Sequence, residues 1–127
     1  MATLHHIHIK TGDPDASAAW WASMFDASIL PSFEIGSARF VPVELAGVRI
    51  NFSRPDAASA GATGPSPAFP HYGLEHLGIG VADLDQVLAR CEQQGLPIHE
   101  RRRTEASLVA FVSTPEGVLL ELLQPLA

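Results

Sequence analysis

The sequence predicts an α+β fold made of two βαβββ modules. Three observations lead there. The chain repeats itself at a fixed offset of 70: residues 4–9 fall on 74–79, Asp13 and Asp15 fall on Asp83 and Asp85, and residues 47–52 fall on 117–122. Each half opens with an alternating strand-like run and continues with apolar residues at helical spacing. At 127 residues and 46% hydrophobic, the chain suits one domain. The expected organisation is a single domain over 1–127, with module one at 1–53, a linker at 54–73 and module two at 74–127.

The elements follow in order. In the first strand Ile7 and Ile9 share one face and His6 and His8 the other. Asp13 followed by Pro14 starts a helix, as an N-cap acceptor and a residue with pre-set φ. That helix carries Trp20, Trp21, Met24 and Phe25, expected as core and rim. Strands follow near 29–34, 38–45 and 47–53. In the second half Asp83 caps a helix running through Leu84, Val87, Leu88 and Cys91, with Gln86 at the capping-box position. Gly95 stops it, with Pro97 beyond. Strands follow near 98–103, 107–113 and 117–124. Ala46-Gly47 and Pro115-Glu116-Gly117 mark the last hairpin turn of each half.

Composition excludes several functions. Net charge is −6 and Lys10 is the only lysine, so a basic face for nucleic acid is not expected. No apolar run approaches a membrane span, and no signal peptide is read at the N-terminus. The single cysteine, Cys91, rules out an internal disulfide and suits a reducing compartment, so a cytoplasmic location is expected. The segment 54–73, rich in Pro, Gly, Ala and Ser, reads as a linker or as a flap contributing Phe69, His71 and Tyr72.

Strand parity sorts the candidate site. If Ile7 and Ile9 pack under the helix, His6 and His8 face away from it, and so do His76, Gly78 and Gly80. In the last strand Leu120 and Leu122 pack inward, which turns Glu121 outward with Leu119 and Leu123. Its counterpart is Asn51, flanked by Arg49 and Ser53. Positions 6, 51, 76 and 121 are therefore repeat-related.

These blocks resemble the vicinal oxygen chelate superfamily, which includes glyoxalase I, methylmalonyl-CoA epimerase, fosfomycin-resistance transferases, extradiol dioxygenases and bleomycin-binding proteins. Leu-His-His-Ile-His-Ile, Leu-Glu-His-Leu-Gly-Ile-Gly-Val-Ala-Asp-Leu-Asp and Thr-Pro-Glu-Gly-Val-Leu-Leu-Glu-Leu carry the resemblance. It implies a U-shaped mixed sheet curled around a central cavity, with a divalent metal held by His6, His76 and Glu121. Two imidazoles and one carboxylate suit Fe(II), Mn(II), Co(II), Ni(II) or Zn(II) and leave positions open for a small-molecule substrate.

Asn51 departs from the glyoxalase pattern, in which the fourth position is acidic. An amide is a weak ligand and no base at neutral pH, so Asn51 reads as a substrate-facing group. His8 has Gly78 as its repeat partner, so the fold does not need it. It is a candidate catalytic acid/base or substrate-orienting residue near the metal, and Glu121 is the second catalytic candidate. Arg49 is a candidate anion anchor, against an ion pair with Glu44. Tyr72 is a further substrate-binding candidate. Arg101-Arg102-Arg103 reads as an exposed strand.

The function expected is a small metal-dependent enzyme, either a lyase/isomerase or an O2-dependent dioxygenase. The alternative is a binding protein that sequesters a small molecule, as the bleomycin-binding members do. Open sheet edges favour a homodimer.

Overall fold

The computed structural model describes residues 1–127 and divides into two compact units, Met1–Gly64 and Pro65–Ala127. In the first unit β1 (Ile7–Lys10) leads into α1 (Pro14–Phe25), followed by β2 (Ser28–Ile29), β3 (Phe33–Ile35), β4 (Ala38–Leu45) and β5 (Val48–Ser53). In the second unit β6 (Leu77–Gly80) leads into α2 (Leu84–Gln93), followed by β7 (Ile98–Arg103), β8 (Ser107–Ser113) and β9 (Leu119–Pro125). No helix is long and apolar enough to cross a membrane.

Each sheet is mixed, because the helix acts as a crossover. β1 pairs parallel with β5 and β6 with β9, while the remaining pairings are antiparallel. Ile7 stands opposite Ile50 and Leu77 opposite Leu120, and both partners step by 70. A bond from Thr11 N–H to the Ser53 carbonyl (3.0 Å) closes the first parallel pair. Val81 N–H to the Leu123 carbonyl (2.8 Å) closes the second, again at an offset of 70.

The helix termini form for the reasons the sequence supplies. Asp13 accepts from Ala16 N–H at 3.0 Å, and Asp83 from Gln86 N–H at 3.1 Å. Gly95 takes φ +70° after α2. It donates to the Glu92 carbonyl while Leu96 donates to that of Cys91, the paired bonds of a Schellman ending. Each helix buries one stripe against its own sheet. In the first unit the fully buried Trp21 lies 5.8 Å from Phe52, ring to ring. In the second, Leu88 and Cys91 on α2 and Val112, Leu120 and Leu122 on β8 and β9 are all fully buried.

Two expectations need correction. The strand expected at 29–34 is two short strands, Ser28–Ile29 and Phe33–Ile35. Pro31 between them has no N–H to continue the ladder on β4. The ungapped repeat also slips by one inside each unit. Pro42 stands opposite Asn51, whereas Phe111 stands opposite Glu121, so β4 and β8 align at 69 rather than 70. The hairpin turns cause the slip. Ala46 and Gly47 make a two-residue turn with φ of +50° and +81°, whereas residues 114–118 form a longer loop. Thr114 closes that loop, its hydroxyl accepting from Val118 N–H at 3.0 Å.

The segment 54–73 divides between the units. Residues 56–63 form a turn capped by Asp56, whose carboxylate accepts from Ser59 at 2.8 Å. Phe69 packs edge-on against His99 of the second unit at 4.9 Å.

Candidate functional site

The sheet face turned away from α2 carries His76, Glu121 and Phe111. His76 precedes β6, and Glu121 sits mid-strand in β9 opposite both Gly78 and Phe111. His76 Nε2 lies 3.1 Å from Glu121 Oε2, with the two side chains 30% and 21% exposed. The Phe111 ring stands edge-on to the imidazole at 5.4 Å and walls one side. On its other edge, His76 Nδ1 lies 2.9 Å from Glu75 Oε1. Glu75 Oε2 in turn accepts from the backbone N–H of His71 at 3.3 Å. The hydrogen bond from His76 holds the Glu75 carboxyl below the usual carboxylate range.

Both ring nitrogens of His76 thus face carboxylates, and ionised carboxylates only accept. With Nδ1–H donated to Glu75, Nε2 faces Glu121 either as a second N–H or as a lone pair directed at a cation. An imidazole nitrogen and a carboxylate oxygen turned toward each other are donor types that a divalent first-row metal takes. A carboxylate behind the distal nitrogen is also the usual way a ligating imidazole is oriented. The donor chemistry therefore fits a divalent metal. Neither unit by itself gathers a three-donor cluster.

The equivalent face of the first unit is built differently. Asn51 is buried, and its Oδ1 accepts from Arg49 Nε at 3.0 Å. The Arg49 guanidinium lies over the Phe33 ring at 5.9 Å, and Phe33 stacks on Phe40 at 5.0 Å with planes 13° apart. Glu44 stands opposite Arg49 in the hairpin register, yet no ion pair joins them. His6 precedes β1 and is exposed. Its Nδ1 lies 2.8 Å from His5 Nδ1, leaving Nε2 available.

His8 stands opposite Asn51, where the second unit has Gly78 opposite Glu121. Its Nε2 lies 2.6 Å from the hydroxyl of Ser53, and Lys10 Nζ donates to the same oxygen at 3.1 Å. Ser53 is fully buried, and an ammonium cannot accept. The buried Ser53 O–H therefore has His8 Nε2 as its acceptor. That assignment puts the proton of neutral His8 on Nδ1. Burial, then Lys10, then His6 lower the pKa of His8 and favour the neutral ring. His8 is thus set up as a hydrogen-bond donor with its basic lone pair already occupied.

Tyr72 is fully exposed, and its carbonyl accepts from His71 Nδ1 at 2.8 Å. Nothing in the sequence marks Glu75 as the partner of the His76 ring. Strand parity does not apply there, since β6 begins only at Leu77. Ser53, which strand parity places beside Asn51, is joined by Lys10, which shares the parity of His8. Phe33 was hidden inside the strand that Pro31 divides.

Comparison with known proteins agrees with this architecture. The chain matches the family described as Glyoxalase/Bleomycin resistance protein/Dioxygenase superfamily over residues 3–122. It resembles the glyoxylase/bleomycin resistance protein/dioxygenase domain from Frankia sp. EAN1pec with a TM-score of 0.75 at 20% identity, covering 99% of this chain and 93% of that one. It resembles the trypanothione-dependent glyoxalase I of Leishmania major with a TM-score of 0.74 at 20% identity, covering 98% and 87%. A variant of the fosfomycin resistance protein FosX from Listeria monocytogenes, complexed with Mn(II) and 1S,2S-dihydroxypropylphosphonic acid, matches with a TM-score of 0.72 at 17% identity, covering 97% and 92%. No curated protein matches the chain. Its sequence and its fold agree: the chain belongs to the Glyoxalase/Bleomycin resistance protein/Dioxygenase superfamily.

Proposed function

We propose that this chain is a divalent-metal-dependent enzyme acting on a small oxygenated substrate. His76 and Glu121 are two of the ligands, and His6, the repeat counterpart of His76, is the third. The observation that carries the reading is the 3.1 Å approach of His76 Nε2 to Glu121 Oε2, with Glu75 behind the ring. Two superfamily relatives support it by name: a glyoxalase I, and a FosX variant complexed with Mn(II). Fe, Mn, Co, Ni and Zn all accept two imidazoles and one carboxylate. When bound, the ion supplies Lewis acidity to a pair of chelated substrate oxygens.

The chain's own groups do the rest. Glu75 fixes the His76 ring. Phe111 walls one side of the His76 ring. His8, with its proton on Nδ1, donates a hydrogen bond to a substrate oxygen. Asn51 and Arg49 form the substrate-facing pair in the first unit, with Tyr72 as an exposed contributor.

The reaction class is read as lyase/isomerase or O2-dependent dioxygenase. Asn51 cannot act as a base, and the lone pair of His8 is occupied by Ser53, so proton abstraction would fall to a glutamate. β1 and β6 are edge strands of their sheets, and covering such edges supports a homodimer.

The test is metal analysis of protein purified without chelators, followed by two assays. Oxygen uptake with catechols reports the dioxygenase branch; turnover of a hemithioacetal reports the lyase branch. His76→Ala, Glu121→Ala and His6→Ala should each lose metal while staying folded. A protein with no affinity for Fe, Mn, Co, Ni or Zn would overturn the enzyme reading and leave a sequestering protein. Full occupancy in any one variant removes that residue from the ligand set.

A further inference from the structure

The first unit holds a partly buried guanidinium that no carboxylate neutralises. Arg49 makes one polar contact, from Nε to Asn51 Oδ1 at 3.0 Å, and one ring contact, over Phe33 at 5.9 Å. Arg39, Arg101 and Arg102, by contrast, each pair with a carboxylate. Arg54 and Arg103 are exposed to water. A cation that is partly desolvated and unpaired in a chain of net charge −6 calls for another physical role.

Its surroundings hold it still. Asn51 is 7% exposed, so the amide that receives Nε is itself fixed by burial. Phe33 supports the guanidinium plane, and Phe33 is braced by its stack on Phe40. With Nε occupied, the two Nη groups keep four N–H donors, two of them side by side at the open end of the fork. That edge matches the two oxygens of a carboxylate. Beside it stand the aromatic rings of Phe33 and Phe40, both half-buried. Phe40 carries His8 against its other neighbour at 5.3 Å, so an aromatic shelf joins the guanidinium to the His8 imidazole.

We infer that Arg49, fixed by Asn51 and Phe33, is the anion anchor of a subsite for a carboxylate borne on a small apolar or aromatic body. The inference deepens the reading of Arg49 and Asn51 as substrate-facing residues by naming the class of ligand. It requires no metal. Asn51 acts here as a positioning residue for Arg49, and the two stand or fall together.

The probes are benzoate, its neutral isostere benzamide, and acetate, which lacks the apolar body. Binding is followed by NMR titration of the full chain, stripped of metal with EDTA and then dialysed free of it, reading the Arg Nε–H resonances in the wild type and the backbone amides of β4 and β5 in every variant. Benzoate should shift the Arg49 resonance saturably, benzamide should not, and acetate should bind more weakly than benzoate. Arg49→Met should weaken benzoate about tenfold or more, the loss of a charge-assisted bond. Arg49→Lys should fail to restore it, because an ammonium has no fork. Phe33→Leu should weaken it about threefold while preserving the fold. Absence of benzoate binding to the wild-type chain would overturn the inference, as would equal affinity for benzamide or full affinity in a folded Arg49→Met chain. Mn(II) affinity measured on the same preparation separates the two readings. Mn(II) binding without benzoate binding removes only the Arg49 subsite, and benzoate binding without Mn(II) binding removes only the metal.

Discussion

His8 Nε2 sits 2.6 Å from the fully buried hydroxyl of Ser53, and Lys10 fills the other side of that oxygen. The serine proton therefore goes to His8. Neutral His8 is expected as the Nδ1–H tautomer, which is the minor form of free imidazole side chains in water. Histidine 15N spectra distinguish the two tautomers directly. Ser53→Ala should move His8 toward the Nε2–H form with the fold intact. A wild-type His8 that is already Nε2–H would show that Ser53 donates elsewhere and that His8 is free to act as a base.

Glu75 is the carboxylate behind the proposed ligand His76, at 2.9 Å from Nδ1. Removing its charge while keeping its shape should leave the ring loosely oriented and less basic. Glu75→Gln is expected to lower Mn(II) or Zn(II) affinity about 10- to 100-fold, as losses of such supporting carboxylates usually do. Direct metal titration checks this. Affinity equal to wild type would make the Glu75–His76 pair a feature of the loop at 71–75 alone.

Much of this fold is legible in the sequence. The offset of 70 linking Ile7 to Leu77 and Asn51 to Glu121 returns as hydrogen-bond register, because both parallel pairs are joined through helices capped at the same relative position. Strand parity put Glu121 and His8 on the faces away from the helices. What parity could not supply was the interior spacing of the hairpins. A turn of two residues and a loop of five place Pro42 opposite Asn51 but Phe111 opposite Glu121, and no alignment anchored at the ends of the halves reveals that slip. Nor could the sequence show that Arg49 bonds to Asn51 rather than to Glu44. Both are strand neighbours of Arg49, and side-chain reach decides between them.

Trp21 anchors α1 to its sheet. It is fully buried against Phe25 at 5.6 Å and Phe52 at 5.8 Å. Trp21→Ala should cost about 3–5 kcal/mol, combining lost transfer energy with the cavity left behind. Ile29→Ala, at a residue 52% exposed, should stay within about 0.5 kcal/mol. Urea unfolding monitored by circular dichroism measures both. A Trp21→Ala loss below about 1 kcal/mol would mean that the helix repacks over the sheet without it.

Arg39 grips Asp15 through two bonds of 2.9 Å and ties the first turn of α1 to β4. The bonds from Arg39 hold the Asp15 carboxyl below its ordinary value. A carboxyl whose folded pKa is depressed binds its proton more weakly in the folded chain than in the unfolded one. Its contribution is therefore present above the unfolded value and lost as pH falls through the lower folded value. Both side chains are largely exposed, so the effect is small and screened by salt. Asp15→Asn should melt slightly below wild type at neutral pH. The two proteins should converge at pH values below the folded titration, as far as the fold survives there. Raising salt at pH 7 should also narrow the gap. A difference in melting temperature that persists unchanged through acid would assign the effect of Asp15 to its place in the first turn of the helix rather than to its charge.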